Sequence, residues 1–169
     1  MSARVAGIGT ALPEKVVTND DLAQHMETSD AWIRERSGIG ERRVGGSTVD
    51  MAVEAATAAI AAADLTPGDI GFVVLCTTTP EKTFPASSAM VAAGLGITCG
   101  AMDLNVVCAG FPYGYVAAYG MMTTPGGPDR VLVIGSDAMS TIVDWTDRST
   151  AILFGDGAGA VVLEKSPQG

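Results

Sequence analysis

Ala101-Met102-Asp103-Leu104-Asn105-Val106-Val107 leads through Cys108 into Ala109-Gly110-Phe111-Pro112-Tyr113-Gly114-Tyr115-Val116-Ala117-Ala118-Tyr119. The first part reads as a short, mostly apolar strand, and the second has helical length. Pro112 fits a helix only near its start, where N–H groups lack intrahelical partners anyway. Cys108 stands at the junction, where a thiol would face the positive end of the helix dipole, an environment that favours thiolate. Nucleophilic cysteines are built this way. Most free cysteines are instead small core hydrophobes, and spacing alone leaves both readings open.

The same alternation extends in both directions from this junction. Residues 5–8 read as a first strand, and Thr18-Asn19-Asp20-Asp21 as a helix start capped by Thr18 or Asn19. Thr28-Ser29-Asp30 opens a second, short helix through Arg36, which Gly38 ends. The alanine-rich stretch 47–63 is the clearest helix, with Met51, Ala55, Ala58 and Ala62 at roughly helical spacing. A turn at Thr66-Pro67-Gly68-Asp69 precedes a strand over 70–77 whose successive residues are apolar, as in a sheet buried on both faces. A helix over 86–94, a strand over 101–106, a break at 123–128 and a strand over 130–135 follow. Residues 151–154 and 158–164 are expected to form a final strand pair around a glycine turn. The expectation is an α/β fold: a single domain over 1–169, with a central mixed, mostly parallel sheet and helices on both faces.

The chain has 169 residues, 47% of them hydrophobic, and a net charge of −9. That length buries one substantial core, and that charge opposes broad contact with nucleic acid or anionic membrane. No apolar run reaches the length of a membrane span, and the start lacks the pattern of a signal peptide, so a cytoplasmic location is expected. Cys76, Cys99 and Cys108 have no metal-like spacing, and Cys76 lies in the apolar run Phe72-Val73-Val74-Leu75-Cys76. Arg34, Arg36, Arg42 and Arg43 form a local basic cluster that is either a solvated face or a site for phosphates or an acidic partner. Gly7-Ile8-Gly9 and Gly155-Asp156-Gly157-Ala158-Gly159-Ala160 fail as dinucleotide sites. The first lacks its third glycine, and the second leads into a strand. These glycines are expected to allow tight turns and close backbone packing. Asp103 and Asp156 lie in apolar surroundings and read as structural hydrogen-bonding residues.

Val107-Cys108-Ala109-Gly110-Phe111 resembles the nucleophile motif of the β-ketoacyl-acyl-carrier-protein synthase III family, within the thiolase-like superfamily. The likeness runs nearly end to end. Gly7-Ile8-Gly9-Thr10-Ala11-Leu12-Pro13 is similar to the family's opening strand and loop. Thr28-Ser29-Asp30-Ala31-Trp32-Ile33 and Arg36-Ser37-Gly38-Ile39 are similar to its coenzyme A-facing helices, and Phe84-Pro85-Ala86 to its dimer-interface turn. Asp147-Arg148 with Phe154-Gly155-Asp156-Gly157-Ala158-Gly159-Ala160 resembles the close of its first half. The resemblance implies an acyltransferase of fatty-acid or polyketide initiation, with acyl-coenzyme A as substrate, no cofactor and an acyl carrier protein as partner. It makes Cys108 the acyl acceptor. Trp32 and Arg148 would then sandwich the adenine of coenzyme A, with Thr28 and Arg36 nearby. Phe84 would reach across a dimer interface into the partner's acyl pocket.

The resembled family also uses a histidine and an asparagine from a second half of the chain. Here the one histidine, His25, is expected on a polar early helix without a matching motif and reads as a surface residue. Ser166-Pro167-Gln168-Gly169 is linker-like and reads as a boundary between halves. Acylation of Cys108 is therefore expected without condensation, since loss of one oxyanion donor alone costs roughly two to three orders of magnitude. The chain is then the N-terminal half of a synthase, a non-catalytic partner subunit or an acyl-coenzyme A-binding module.

Overall fold

The computed structural model describes residues 2–166; of the stretch 166–169 read as a linker, Ser166 ends the last strand and 167–169 lie outside the described residues. The elements run β1 (Ser2–Ala11), β2 (Val16–Thr18), α1 (Asn19–Ala23), α2 (Asp30–Ser37), β3 (Glu41–Arg43), α3 (Thr48–Ala62), β4 (Phe72–Cys76), α4 (Ser87–Leu95), β5 (Gly100–Leu104), α5 (Gly110–Thr123), β6 (Arg130–Ala138), α6 (Arg148–Ala151) and β7 (Asp156–Ser166). Five strands form the main sheet in the order β1-β7-β6-β4-β5, and β2 pairs with β3 apart from it. β4 lies parallel to both β5 and β6, whereas β7 is antiparallel to both β1 and β6. Only β7 therefore runs against the other four strands of this mixed sheet.

The sheet is buried on both faces, and the central strands show it residue by residue. Val73 and Leu75 of β4, with Leu132 and Ile134 of β6, join the core beneath α3 and α4. Val74 and Cys76, with Val131 and Val133, join the core beneath α5. Successive side chains of a strand point to opposite faces, so two apolar layers require an unbroken apolar run. The helices lie on both faces, as the alternation predicts.

Caps account for most of the helix boundaries. Thr18 and Asp21 form a capping box at α1, Ser29 accepts from the Trp32 amide at α2, and Ser47 accepts from the Asp50 amide at α3. Gly38 closes α2 in the left-handed conformation, φ 73°, which glycine adopts without steric cost. Gly7 and Gly9 lie within β1, directly against α3. A Cβ on either would come within 2.2 Å of a helix carbonyl, that of Ala59 or Ala55. Their role is close packing, with no turn at that point.

Three expectations are corrected. Residues 151–154 form no strand: Ala151 is the last residue of α6, which Asp147 caps, accepting from the Ser149 amide at 2.9 Å and the Thr150 hydroxyl at 2.7 Å. β7 pairs instead with β1 and β6. On α3 the buried stripe holds Met51, Ala52, Ala55, Ala56, Ala59 and Ile60, while Ala58 and Ala62 are exposed. Alanines on every side of that helix blur its periodicity, so Ile60 rather than Ala62 marks the inner face.

Candidate active site

β5 ends at Leu104, and the chain reaches α5 through a single 3-10 turn, Val107–Ala109. Asp103 is tied before that turn. Its carboxylate accepts the Ser87 amide at 3.0 Å and the Ser88 amide at 2.7 Å, capping α4. α5 is tied after it, because Gly110 and Gly114 let the helix sit on β4. A Cβ at Gly114 would lie 2.5 Å from the Cys76 sulfur. Between these anchors Val107 adopts φ 50°, a left-handed conformation rare for a β-branched residue. Cys108 follows it directly and is exposed, whereas Cys76 is buried and Cys99 half-buried. Pro112, at the third position of α5, leaves no intrahelical bond unmade. Backbone strain fixed by flanking structure marks functional positions, and here it presents a thiol at the head of a 14-residue helix.

The thiols differ in environment. Burial pushes the Cys76 thiol up to about 11, and the nearby Asp137 carboxylate adds to that shift. Burial also raises Cys99, whose Sγ lies 3.4 Å from the Gly100 carbonyl oxygen. The first turn of α5 borders a cleft, since Phe111 is the nearest contact that a Cβ on Gly135 would make, at 3.9 Å. Gly135 lines that cleft with Leu12, Met139, Leu153 and Phe154, and the last two follow α6 closely.

α6 begins with Arg148, whose guanidinium carbon lies 4.6 Å from the centre of the Trp32 ring. The Arg36 guanidinium carbon lies 4.2 Å from the same centre, and Arg36 Nη1 donates to the Trp32 carbonyl at 3.5 Å. Arg148 Nη1 donates to the Glu27 carbonyl at 2.9 Å, bridging α6 to the entry of α2. Thr28 follows Glu27, and its Oγ1 is buried without a hydrogen-bond partner. Thr28, Trp32, Arg36 and Arg148 are thus gathered at the junction of α2 and α6. An indole flanked by two guanidinium groups offers π and cationic surface to a planar, anionic ligand. Phe84 stands apart on the loop before α4, 88% exposed.

The basic cluster is dispersed. Arg34 Nε lies 2.8 Å from both carboxylate oxygens of Asp30, Arg43 donates to the Pro13 carbonyl, and Arg42 is buried, its guanidinium lowered from the ordinary value by that burial. Of the four, only Arg36 joins the Trp32 group. Asp156 is structural, accepting from the Gly45, Gly46 and Ser140 amides and from the Ser140 hydroxyl. His25 lies in the turn after α1 and not on the helix, which ends at Ala23; it is exposed and lines a cleft of about 840 Å³ with Lys15, Leu22, Val44 and Trp145. Sequence reasoning missed the strained Val107, which no residue type signals. It also missed the cluster in which the Thr77, Thr78 and Thr79 hydroxyls donate to Asp137 Oδ1 at 2.9–3.3 Å, joined by the Thr78 amide at 2.7 Å. The triplet Thr77-Thr78-Thr79 at the end of a buried strand was its available signal. Among the described residues no group of His, Cys, Asp and Glu could hold a metal ion, and no helix is long and apolar enough to cross a membrane.

Known proteins share both sequence and fold with this chain. The family model for 3-oxoacyl-[acyl-carrier-protein (ACP)] synthase III matches residues 102–169. β-Ketoacyl-[acyl-carrier-protein] synthase III 1 of Bacillus cereus is 49% identical over 100% of this chain and 56% of that protein. The corresponding synthase III of Xylella fastidiosa is 49% identical over 96% of this chain and 51% of its own length. The crystal structure of 3-oxoacyl-[acyl-carrier-protein] synthase III from Aquifex aeolicus superposes with a TM-score of 0.96 at 41% identity, over 99% of this chain and 55% of that one. The priming β-ketosynthase of the R1128 polyketide biosynthetic pathway superposes with a TM-score of 0.92 at 34% identity, over 97% and 50%. By sequence and by fold, the chain is similar to the β-ketoacyl-[acyl-carrier-protein] synthase III family, and it spans about half the length of the curated relatives it matches.

Proposed function

We propose that this chain is the acyl-accepting half of a β-ketoacyl-acyl-carrier-protein synthase III, working in the cytoplasm in fatty-acid or polyketide initiation. The observation that carries this reading is the exposed Cys108 on its strained turn at the head of α5. The Cys108 thiol gives its proton to water, and the thiolate attacks the carbonyl carbon of an acyl-coenzyme A. The Cys108 amide lies in the first turn of the 3-10 segment, where amides lack intrahelical acceptors, and donates to the developing oxyanion. Collapse breaks the carbon–sulfur bond to coenzyme A, which leaves as a thiolate and takes up a proton. The acyl group stays on Cys108 as a thioester.

The adenine of coenzyme A stacks on Trp32, with Arg148 and Arg36 turning to its face and phosphates. The buried, unpartnered Thr28 hydroxyl gains its missing partner there. Condensation with a malonyl group on the acyl carrier protein needs a histidine and an asparagine from a second half, on the same or another polypeptide. The chain's single histidine, His25, lines a cleft that does not include Cys108. Phe84, almost fully exposed, extends to a partner copy in a dimer. A second reading, a non-catalytic partner subunit, draws on the same exposure of Phe84 and on the exposed Tyr113 and Val116 of α5.

Incubation with acetyl-coenzyme A and peptide mass spectrometry tests the proposal. An acetyl group is expected on Cys108 and is absent from Cys108→Ala. Condensation with malonyl-acyl carrier protein is expected only once a second half is supplied. A Cys108 inert to both acetyl-coenzyme A and iodoacetamide would leave the partner-subunit reading.

A further inference from the structure

We infer that Arg42 and Asn19 form a buried node that sets the spacing between the two sides of the Trp32 stack, which makes both of them positioning residues for nucleotide binding. The inference rests on the reading of Trp32 as the surface on which the coenzyme A base stacks. Arg42, on β3, is 6% exposed, and its guanidinium takes part in no ion pair among the described residues. Its Nη2 donates to Asn19 Oδ1 at 2.9 Å and to the Ile152 carbonyl at 3.1 Å, and Nη1 donates to the Val17 carbonyl at 3.4 Å. Its Nε is buried with no partner.

Asn19 is buried too, and its amide is fully used. Besides accepting from Arg42, Nδ2 donates to Asp30 Oδ1 and to the Ile39 carbonyl, both at 2.8 Å. Asp30 opens α2 and Ile39 follows the Gly38 that closes it, so Asn19 grips both ends of the helix carrying Trp32 and Arg36. Ile152 caps the C-terminus of α6, which begins with Arg148. Arg42 therefore joins the Trp32 side of the stack to the Arg148 side through two hydrogen bonds from one nitrogen. Ile33 and Ile152 meet in the same small core around the node.

A stability role alone does not account for this arrangement. A guanidinium buried without a carboxylate keeps most of its desolvation cost, and an apolar side chain of similar volume is often as stable or more so. What the planar fork supplies is direction, since it fixes two acceptors at once from a rigid group. Lysine keeps the charge but offers a flexible point donor in place of that fork.

The test measures coenzyme A affinity in the 169-residue chain by calorimetry, with the iodoacetamide rate at Cys108 and the melting temperature recorded alongside. Arg42→Lys is expected to weaken coenzyme A roughly tenfold, as a displaced positioning group does, while the Cys108 rate stays within about twofold. Asn19→Asp, which cannot donate to Asp30 or Ile39, is expected to weaken it at least as much. In a Trp32→Ala background the Arg42→Lys effect should vanish, because the stack it positions is gone. An undiminished effect there, or equal losses in affinity and in Cys108 rate, would reduce Arg42 to a structural residue and overturn the inference. If Trp32→Ala weakens binding and neither Arg42→Lys nor Asn19→Asp does, the node alone fails. If the original chain takes up no coenzyme A, or Trp32→Ala binds as tightly as the original, the stacking reading fails and the node falls with it.

Discussion

Val107 holds a left-handed backbone conformation one residue ahead of the thiol. For a β-branched residue this costs about 1–2 kcal/mol, and its side chain is 69% exposed, so packing offsets little of it. Glycine adopts the same conformation freely. Val107→Gly is therefore expected to be about 1 kcal/mol more stable than Val107→Ala in urea unfolding; equal midpoints would mean that the turn relaxes in solution. The three thiols should separate as sharply. Because burial holds the Cys76 thiol up at about 11 and also raises Cys99, iodoacetamide at mildly alkaline pH is expected to label Cys108 well before either. The Cys76 shift also sets a pH dependence. The folded chain keeps that proton above the ordinary thiol value of 9.0, so its contribution to stability is complete below 9.0 and is lost as pH rises through about 11. Thermal midpoints across that window should fall, and the fall should be shallower in Cys76→Ala. At this scale Cys108 was legible from its junction of strand and helix. Val107 was not, because a positive φ at valine arises from how the flanking elements are anchored and leaves no trace in residue type.

The contact of α5 with β4 depends on a missing side chain. Gly110, Gly114, Ala118 and Met122 form its buried stripe, and at Gly114 a Cβ would meet the Cys76 sulfur at 2.5 Å and Val133 at 3.3 Å. Gly114→Ala should lift the first turns of α5 from the sheet, costing about 1–3 kcal/mol and slowing acylation of Cys108. Adding Cys76→Ala removes the sulfur and should restore much of both. Full additivity in a double-mutant cycle would show that the two positions do not touch. Caps and uninterrupted apolar runs made most elements legible in the sequence. β2 and β3 escaped because three-residue strands carry no period, and α6 because four residues are too few for a helical period and its last, Ala151, opens the apolar run read as a strand over 151–154. The Trp32 group was visible only through resemblance. Its members lie on α2, on the entry to α2 and on α6, more than a hundred positions apart, and a buried node with no sequence period joins them.

For the molecule as a whole, α5 poses a question of solubility. The helix Gly110–Thr123 contains no charged residue, and one stripe of it is buried on the sheet. Its other side leaves Phe111, Tyr113, Val116 and Tyr119 exposed, with Val107 ahead of them. A helix apolar all round is ordinarily covered on all sides, and contiguous exposed apolar surface of this kind marks an interface. The opposing influence is the net charge of −9, which keeps copies of the chain apart at low ionic strength. The balance predicts self-association that grows with protein concentration and with added salt, since screening weakens the repulsion and leaves the apolar contact intact. Sedimentation velocity at low and high salt measures it. Val116→Lys, placed on the exposed side and 66% accessible in the original, should shift the distribution toward monomer without lowering the melting temperature. A chain that stays monomeric at high salt and high concentration would mean that the outer side of α5 needs no cover, and the partner-subunit reading would lose the support it draws from Tyr113 and Val116.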